Sequence, residues 1–410
     1  MAVVQISRIQ LRRGKKNSGS GLPQLASGEL GWAVDTQELY IGNGSVAEGS
    51  PNVGNTQILT QHTNLFSFAE QYTYKTGDAL IQTGAGDNTP IKRTLQSKMD
   101  DIVHVADFGA KGDNATDDTV AIQRAIDQLF LNSDKADAES RVVLQFAAGT
   151  YKITNSLKLP PFANLKGAGV DGTVILQCAA FPIFTNVTSA SAFNAGTDVM
   201  VYDTTTLFAN SQLKQTRNVV VDGFTLKHSL VNVSGTAVTI QKNIFELTSI
   251  KNSIFKNLKL SGQWGTSSNY TVNLGEAGFD IRSVQSSSYP SKNNKFEHVE
   301  IENMSYAVYS SYDIYDNTFN ECNVFNCGYG AVLGNAMPAV TVSNLADKIA
   351  EGQAYGPTNT VIRNSTMDDV FKQGVWVEKG TNNKSISNTY HKVGNDGGSS
   401  TTAVTSVVKF

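Results

Sequence analysis

Acidic and tyrosine side chains cluster in one short segment of the chain, SSYDIYDNTFNE, which covers residues 310–321. The segment and the residue before it contain three acids and three tyrosines: Asp313, Asp316, Glu321, Tyr309, Tyr312 and Tyr315. Two carboxylates flanking a glycosidic bond can hydrolyse it, and a base can instead cleave a chain of uronic acids by elimination. Because tyrosine rings stack on the apolar faces of sugars, the segment predicts a polysaccharide site in which the three acids are the catalytic candidates.

Carboxylates also cluster at three other places: Glu276 with Asp280, Glu297 with Glu300 and Glu302, and Asp368 with Asp369. Alternation along a strand would place Glu300 and Glu302 on the same face. Surface carboxylates are ordinary on a soluble protein, so none of these groups is by itself evidence of catalysis. The segment 310–321 is preferred because its acids are accompanied by aromatic rings.

Further aromatic residues fall in two segments rich in small residues, near 262–292 and 335–358. These residues are Trp264, Tyr270, Tyr289 and Tyr355. Loops inserted into a rigid scaffold are common binding sites, so we expect these side chains to be exposed and to stack on sugar rings. The alternative is that they pack the loops themselves or an interface between subunits.

The composition argues against several other classes of protein. The net charge is −3 and the pI is near 6.0, which favours neither a nucleic acid nor an anionic membrane as a partner. The sequence has no apolar run of signal or membrane-spanning length, which predicts a soluble chain without membrane insertion. The three cysteines, Cys178, Cys322 and Cys327, suit buried free thiols better than disulfides or a zinc site. No metal or cofactor is expected.

The segment DFGAKGDNATDDTVAIQRAID, residues 107–127, indicates the helix and strands that would position these residues. Its first half has turn chemistry, and its second half predicts an amphipathic helix with an N-cap near residues 116–119 that buries Val120, Ile122 and Ile126. Strands are expected directly afterwards, at 142–146, 151–153, 165–166 and 173–176. One helix before a long run of strands predicts a cap on the open, apolar end of a stack of β coils.

The same segment, followed by GTYKI and LKGAG, resembles the start of the pectate-lyase-like superfamily of right-handed parallel β-helices, as used in phage tailspikes. The resemblance implies an all-β, single-stranded solenoid over residues 104–410, capped by the amphipathic helix. It also implies that five residues serve turns and the helix cap: Asp107, Gly109, Asp113, Asp117 and Asp118. Two departures, Ala147 in place of a family Pro and Asn114 in place of a family Gly, are tolerable in turns.

The first 60 residues predict a small β module, with strands at 30–34 and 38–41 joined by a turn at 35–37. IQLRRG followed by LASGELGWAVDTQELYIGNG resembles the short N-terminal module of many bacteriophage tail-fibre and baseplate proteins. The resemblance implies attachment to the virion, often as a trimer. Residues 61–103 are interpreted as a linker or neck, ending in a short helical face formed by Leu95, Met99, Ile102 and Val103.

Asn-rich units recur downstream and predict successive coils. Aligning Phe296 with Phe319 gives a step of 23 residues, and aligning Val361 with Ile386 gives 25. Two further steps, from Ile254 to Phe296 and from Phe319 to Val361, are each 42, which indicates either a degenerate second coil or an inserted loop. The recurring Asn residues are expected at tight corners, where Asn accepts left-handed backbone and can form stacked ladders.

Two functions are consistent with the sequence. The first is a phage tail spike or fibre that binds host surface polysaccharide and either only binds it or also cleaves it, as a glycoside hydrolase or a polysaccharide lyase. The alternative is a non-catalytic tail or baseplate component that acts as a rigid spacer or adaptor for other fibres. The expected partners are two further copies of the chain in a homotrimer, tail or baseplate proteins through residues 1–60, and host surface glycan. The chain is expected in the virion after synthesis in the host cytoplasm.

Overall fold

A computed structural model describes the chain over most of its elements. The described residues are 11–17, 24–44, 46–48, 54–60, 72–73, 92–130, 142–186, 216–230, 234–236, 242–264, 276–283, 290–311, 314–334, 357–377, 380–394 and 408–409. The chain divides into two compact units, residues 1–100 and residues 101–410. No helix among the described residues is long and apolar enough to cross a membrane.

The first unit contains a four-stranded sheet of Arg12–Gly14, Leu30–Ala33, Glu38–Gly42 and Asn55–Ile58, in that order. The first pair is parallel and the other two pairs are antiparallel. Leu25, Ala33 and Tyr40 form its small buried core. The unit also has a 3-10 turn at Val46–Glu48, a pair of short strands at Tyr72–Thr73 and Lys92–Arg93, and a helix at Leu95–Met99.

The second unit is a parallel β-helix whose largest sheet, called here the first sheet, has 15 strands. One row of strands comprises Ile102–His104, Val143–Gln145, Asn164–Lys166, Val220–His228, Ile254–Ser261, Lys295–Glu302, Thr318–Asn320, Val361–Arg363 and Lys384–Ile386. The remaining strands form a second row, which merges with the first at its three longest strands: Asp113–Asp117, Gly149–Ile153, Thr173–Gln177, Asn323–Cys327, Thr366–Val370 and Thr389–His391.

Two further parallel sheets close the coils. The second sheet has eight strands: Leu157–Lys158, Phe184–Thr185, Phe245–Thr248, Ala277–Arg282, Tyr306–Ser311, Tyr329–Leu333, Val375–Val377 and Val408–Lys409. The third sheet pairs only Ser291–Lys292 with Ile314–Tyr315, and isolated parallel bridges extend it in both directions. Each turn of the chain therefore contributes to three faces, which fixes which side chains are carried outward on neighbouring coils.

Stacked phenylalanines fill the interior because parallel, in-register strands place like residues above one another. The ring of Phe296 lies 5.2 Å from Phe255 and 4.4 Å from Phe319, centroid to centroid, in nearly parallel stacks. Phe245 and Phe279 of the second sheet stack in the same way at 4.9 Å. All five side chains are buried in one continuous core. Burial of rings of this size is the main source of stability of the stack.

Left-handed residues at the corners turn the chain between sheets. Five residues at one corner have φ between +52° and +55°: Asn252, Asn293, Asp316, Asn359 and Asn382. The Asn293 amide donates to Asn252 at 3.3 Å and the Asn382 amide donates to Asn359 at 2.8 Å. Asparagine is the residue that tolerates this backbone best after glycine, so these residues serve the fold as the sequence predicts.

The helix Thr119–Phe130 packs on the first coils of the second unit. It buries Ile122, Ala125, Ile126 and Phe130 in the same core as the phenylalanine stacks. Its predicted inward residue Val120 is instead 67% exposed, because two residues turn an α-helix by about 200° and Val120 therefore lies on the face opposite to Ile122.

Two other expectations are wrong in detail. The helical face predicted from Leu95 to Val103 stops at Met99, and Ile102 opens a strand of the first sheet. Val361 pairs with Lys384, not with Ile386, so that step between corner residues is 23 residues. The two longer steps are 41 and 43 residues between directly paired strands, so each is one coil that contains an inserted segment.

Candidate functional site

The outer face of the second sheet carries polar and aromatic side chains that neighbouring coils bring into register. Phe245 and Phe279 point into the core, so by alternation the next residues, Glu246 and Asp280, point outward. Glu246 pairs with Asp280, and Asp280 pairs with Tyr309 on the next strand. We call the group on this face the outer-face cluster, and its members are Asn243, Glu246, Asp280, Arg282, Tyr306, Tyr309, Tyr329 and Trp376.

Asp280 is held by two neighbours. Its side chain is 1% exposed, and its carboxylate accepts hydrogen bonds from the Asn243 amide at 2.8 Å and from Arg282 Nε at 2.7 Å. A second Arg282 nitrogen, Nη2, also contacts the carboxylate, which makes the pair bidentate. Burial raises the pKa of Asp280 and outweighs the opposing effect of Arg282 and Asn243. The bidentate pair fixes the direction in which this carboxyl group points.

Glu246 lies one strand away and is half-buried. Burial raises the pKa of its carboxyl group, Arg282 acts in the opposite direction, and the nearby Asp280 adds to the increase. Neighbouring strands of a sheet are roughly 4.8 Å apart, so the two carboxyl groups belong to one site. Two acids with raised pKa values beside an arginine form an arrangement that can hold and release a proton.

An aromatic ladder continues the cluster along the sheet. The rings of Tyr306 and Tyr329 are parallel, 5.1 Å apart, and Trp376 lies 6.1 Å beyond Tyr329 with a tilt of 35°. Tyr309 meets Tyr306 edge to face at 5.2 Å. Tyr306 and Tyr309 are buried, whereas Tyr329 and Trp376 are half-buried and present partly exposed rings. A row of rings beside acids suits the alternating apolar faces and hydroxyl groups of a sugar chain.

Of the three predicted catalytic acids, the structure describes Asp316 and Glu321, whereas Asp313 lies outside the described residues. Asp316 occupies the Asn corner and accepts a hydrogen bond from the Asn359 amide at 3.0 Å. Glu321 lies at a second corner, 2.6 Å from His298 Nε2. The two acids flank the strand Thr318–Asn320, and five extended residues span roughly 15 Å, which exceeds the ~5–9.5 Å used by glycosidases.

Glu321 and His298 line a shallow surface groove of about 390 Å³ with Glu300 and Asn323. Both corner residues have left-handed backbone, with φ of +54° at His298 and +56° at Glu321. At the two flanking coils the same corner is occupied by Asn257 and Asn364. The His298–Glu321 pair therefore takes the place that an Asn–Asn contact has at the other corner.

The predicted sugar-stacking residues are placed differently from expectation. Trp264 is only 4% exposed and packs edge to face against Phe371 at 6.1 Å, so the expectation that it is exposed is wrong. Tyr309 is likewise buried, within the outer-face cluster. Tyr315 is half-buried in the third sheet. Tyr270, Tyr289, Tyr312 and Tyr355 lie outside the described residues.

The aspartates of the opening segment serve turns and the helix start. Asp107 accepts a hydrogen bond from the His104 amide at 2.9 Å, and Gly109 follows with φ of +96°. Asp113 accepts the amides of residues 115 and 116, and these bonds lower its pKa to about 2. Asp117 accepts the Thr119 amide at 3.0 Å, and Asp118 accepts the amides of residues 111 and 112.

Sequence reasoning missed most of the outer-face cluster: Glu246, Arg282, Tyr306, Tyr329 and Trp376. The sequence groups Asp280 only with Glu276, four residues earlier. The sequence signal that could have identified these residues is in the second strand of each coil, where an outward residue follows an inward phenylalanine or valine. That signal is weak because the coils differ in length by up to 20 residues, as the 23-residue and 43-residue steps show.

The cysteines and the other side chains that could bind a metal do not form a second candidate site among the described residues. All three cysteines are buried and free, and burial raises the pKa of Cys322 and Cys327 to about 12. Thiols of this kind are poor nucleophiles. Among the described residues, no group of three or more His, Cys, Asp or Glu side chains is placed to hold a metal ion.

Two protein families match parts of the chain. Residues 102–332 match the family described as rhamnogalacturonase A/epimerase, pectate lyase-like. Residues 9–46 match the major tropism determinant N-terminal domain. These matches confirm the resemblance to a phage tail protein with a pectate-lyase-like β-helix and a short N-terminal module. A comparison with curated proteins finds no match.

Several solved structures are similar to this chain at low identity. Gene product 12 of bacteriophage phi29, as its N-terminal fragment, is 15% identical, with a TM-score of 0.43, over 74% of this chain and 45% of that one. Open reading frame 18 of Geobacillus virus E2 is 18% identical, with a TM-score of 0.45, over 90% and 62%. Tailspike protein 3 of bacteriophage CBA120 is 15% identical, with a TM-score of 0.46, over 87% and 54%. This chain therefore spans only about half to three fifths of those proteins.

Proposed function

We propose that this chain, which belongs to the rhamnogalacturonase A/epimerase, pectate lyase-like family, is a phage tail spike or fibre that binds a surface polysaccharide through the outer-face cluster. The observation that carries the proposal is the ladder of Tyr306, Tyr329 and Trp376 directly beside the acids Glu246 and Asp280. Rings supply the platform for sugar faces, and the acids with Arg282 supply hydrogen-bond partners for hydroxyl groups.

The first unit is proposed to attach the chain to the tail or baseplate. The support is the match of residues 9–46 to the major tropism determinant N-terminal domain. Its sheet is rigidified by Glu38, whose carboxylate binds Lys16 Nζ at 2.8 Å and the Tyr40 hydroxyl at 2.6 Å. A homotrimer in the virion remains part of this proposal, and light scattering of the purified full chain tests it.

Cleavage is a second candidate function, and the raised pKa of Glu246, which suits a proton donor, favours it. Glu246 would be the proton donor because it is the more accessible acid. Asp280, which is 1% exposed and is bound by Arg282 and Asn243, would not contact the sugar, and its nearby charge would help to keep Glu246 protonated.

The competing function, a rigid spacer without glycan affinity, makes different use of the same features. In that case the outer-face cluster would pack only against other parts of the protein, and its acids would have no ligand. Substitution of its rings would then change stability without changing any affinity.

The test measures binding and cleavage in parallel on a panel of capsular and O-antigen polysaccharides. Trp376→Ala is expected to weaken binding at least tenfold, and Glu246→Gln is expected to abolish release of new reducing ends while retaining binding. Asp316→Asn is the matched comparison, because an amide fits the Asn corner. Loss of release in Asp316→Asn but not in Glu246→Gln would return the chemistry to the segment 310–321, and no binding to any polysaccharide would support the spacer.

A further inference from the structure

A column of three cations runs along the third face of the β-helix. Arg217 pairs with Lys251, and Lys251 pairs with Lys292, each by a parallel bridge between adjacent coils. All three side chains are half-buried and flank exposed Asn corners. We call this set the cationic column. Adjacent coils are roughly 4.8 Å apart, so three like charges follow one another in single file.

This arrangement is unfavourable for the fold by itself. Like charges directly opposite one another on neighbouring strands repel. Elsewhere on the second unit, cations on neighbouring strands are matched with acids: Lys259 lies 2.7 Å from Glu300, and Lys256 lies 3.5 Å from Asp222. Within the described part of the chain, no carboxylate lies within ion-pairing distance of the cationic column.

The effect of this crowding is visible at the central position. Burial lowers the pKa of Lys251, and the charges of Arg217 and Lys292 lower it further. An anion between neighbouring side chains would remove that repulsion. The column thus has unbalanced positive charge on a chain whose net charge is −3.

Aromatic rings border the column at both ends. The Arg217 guanidinium lies over the Phe162 ring at 5.2 Å from its centre, and Tyr315 follows Lys292 in register on the next coil. Beyond Tyr315 the positions are the neutral Thr358 and Thr381. The positive stretch is therefore a bounded site about three coils long, with Tyr315 as a surface on which a sugar ring could rest.

We propose that the cationic column binds acidic groups, carboxylate, sulfate or phosphate, carried on successive units of an anionic polysaccharide that lies along the β-helix axis. The proposal rests on the proposed glycan-binding function for the class of polymer, and it adds that the polymer is anionic. A polysaccharide is favoured over a nucleic acid because the column has only three cations on a chain whose net charge is −3, whereas nucleic-acid binding relies on a more extensive basic surface.

The test uses the full chain and three polymers with one backbone: dextran, carboxymethyl-dextran and dextran sulfate. Affinity electrophoresis at 50 mM and 500 mM NaCl compares the parent protein with the double variant Lys251→Gln, Lys292→Gln. The matched control is Lys166→Gln, Lys384→Gln, which removes the same charge from two exposed positions of the first sheet. We expect the parent and the control to bind both anionic polymers, with weaker binding at 500 mM salt, and the double variant to bind at least tenfold more weakly.

Equal weakening in both double variants would show a nonspecific charge effect and would overturn the proposal. The melting temperature of the Lys251→Gln, Lys292→Gln variant should equal or exceed that of the parent, since repulsion is removed, and a lower value would assign these lysines to the fold instead. A single-stranded polynucleotide bound more tightly than dextran sulfate through the same lysines would overturn the choice of a glycan. If the Lys251→Gln, Lys292→Gln variant binds the anionic polymers as tightly as the parent, while Trp376→Ala loses polysaccharide binding, the outer-face cluster alone is the glycan site.

Discussion

Replacing Phe296 by alanine tests whether the stacked rings hold the β-helix together. Phe296 is fully buried, with stacked neighbours at 5.2 Å and 4.4 Å and an edge-to-face contact with Phe279 at 4.7 Å. Burial of roughly 150 Å² of ring at about 25 cal/mol per Å² contributes ~4 kcal/mol. The measured range for buried Phe→Ala is about 3–5 kcal/mol, and lost ring geometry places this site near the upper end.

The assay is equilibrium or kinetic unfolding in guanidinium, followed by far-ultraviolet circular dichroism. Phe325→Ala is the matched control, because Phe325 is 48% exposed on a neighbouring coil and the chemical change is identical. We expect the control to lose less than about 1 kcal/mol. A loss below about 2 kcal/mol in Phe296→Ala, or equal losses in the two variants, would refute the view that the ring stacks are the main source of stability.

Three other predictions follow from single groups with well-defined surroundings. Burial raises the pKa of Glu38, but hydrogen bonds, chiefly that from Lys16, together outweigh burial and lower the pKa to about 2, so the first unit should lose stability as pH falls below about 4.5. Because the Lys16 side chain is 40% exposed, the loss should be only about 1–2 kcal/mol. Glu38→Gln should flatten the pH profile of hydrogen exchange in residues 30–42. Burial lowers the pKa of His228 from 6.5 to about 4, so the stability that the neutral side chain contributes is complete above pH 6.5 and is lost between pH 6.5 and 4. The lost free energy of unfolding should be on the order of 3 kcal/mol. The denaturation midpoints of His228→Gln should lack that pH step, and an unchanged step would contradict the assignment. Asn294 is buried, and its amide donates to the Asn317 side chain at 2.9 Å and to a backbone oxygen at 3.0 Å. Asn294→Ala should therefore lower the free energy of unfolding, measured by thermal unfolding, by roughly 2–3 kcal/mol. A loss under about 0.5 kcal/mol would mean that the interior asparagines contribute little to stability.

The sequence predicts the architecture correctly at positions where the backbone conformation favours a particular residue type. Asn at positions such as Asn293 and Asn382 marks corners because left-handed backbone is costly for most other residues, and the recurring spacing then predicts coils. The register was less readable, because Ile254 and Phe255 are adjacent and both apolar, and only pairing shows that Phe255 faces the core beneath Phe296.

The candidate site was much less predictable than the fold. The sequence favours the acids of the segment 310–321 because tyrosine rings accompany them, yet a strand separates Asp316 from Glu321 and places them at different corners. Glu246 and Asp280 are brought together by strand pairing across 34 residues of sequence, which is also the separation of Asn243 and Ala277. The length of the inserted segments hides that relation, because no constant period connects the second strands of the coils.

The central claim, that the outer face of the second sheet binds polysaccharide, is tested most directly by hydroxyl-radical footprinting with the tightest-binding polysaccharide of the panel. Tyr329 and Trp376 are half-buried rings that react with the radical, and His298 in the groove with Glu321 provides an internal comparison. The account predicts that ligand protects Tyr329 and Trp376 at least threefold while His298 is unchanged. Protection of His298 with no change at Tyr329 and Trp376 would contradict it.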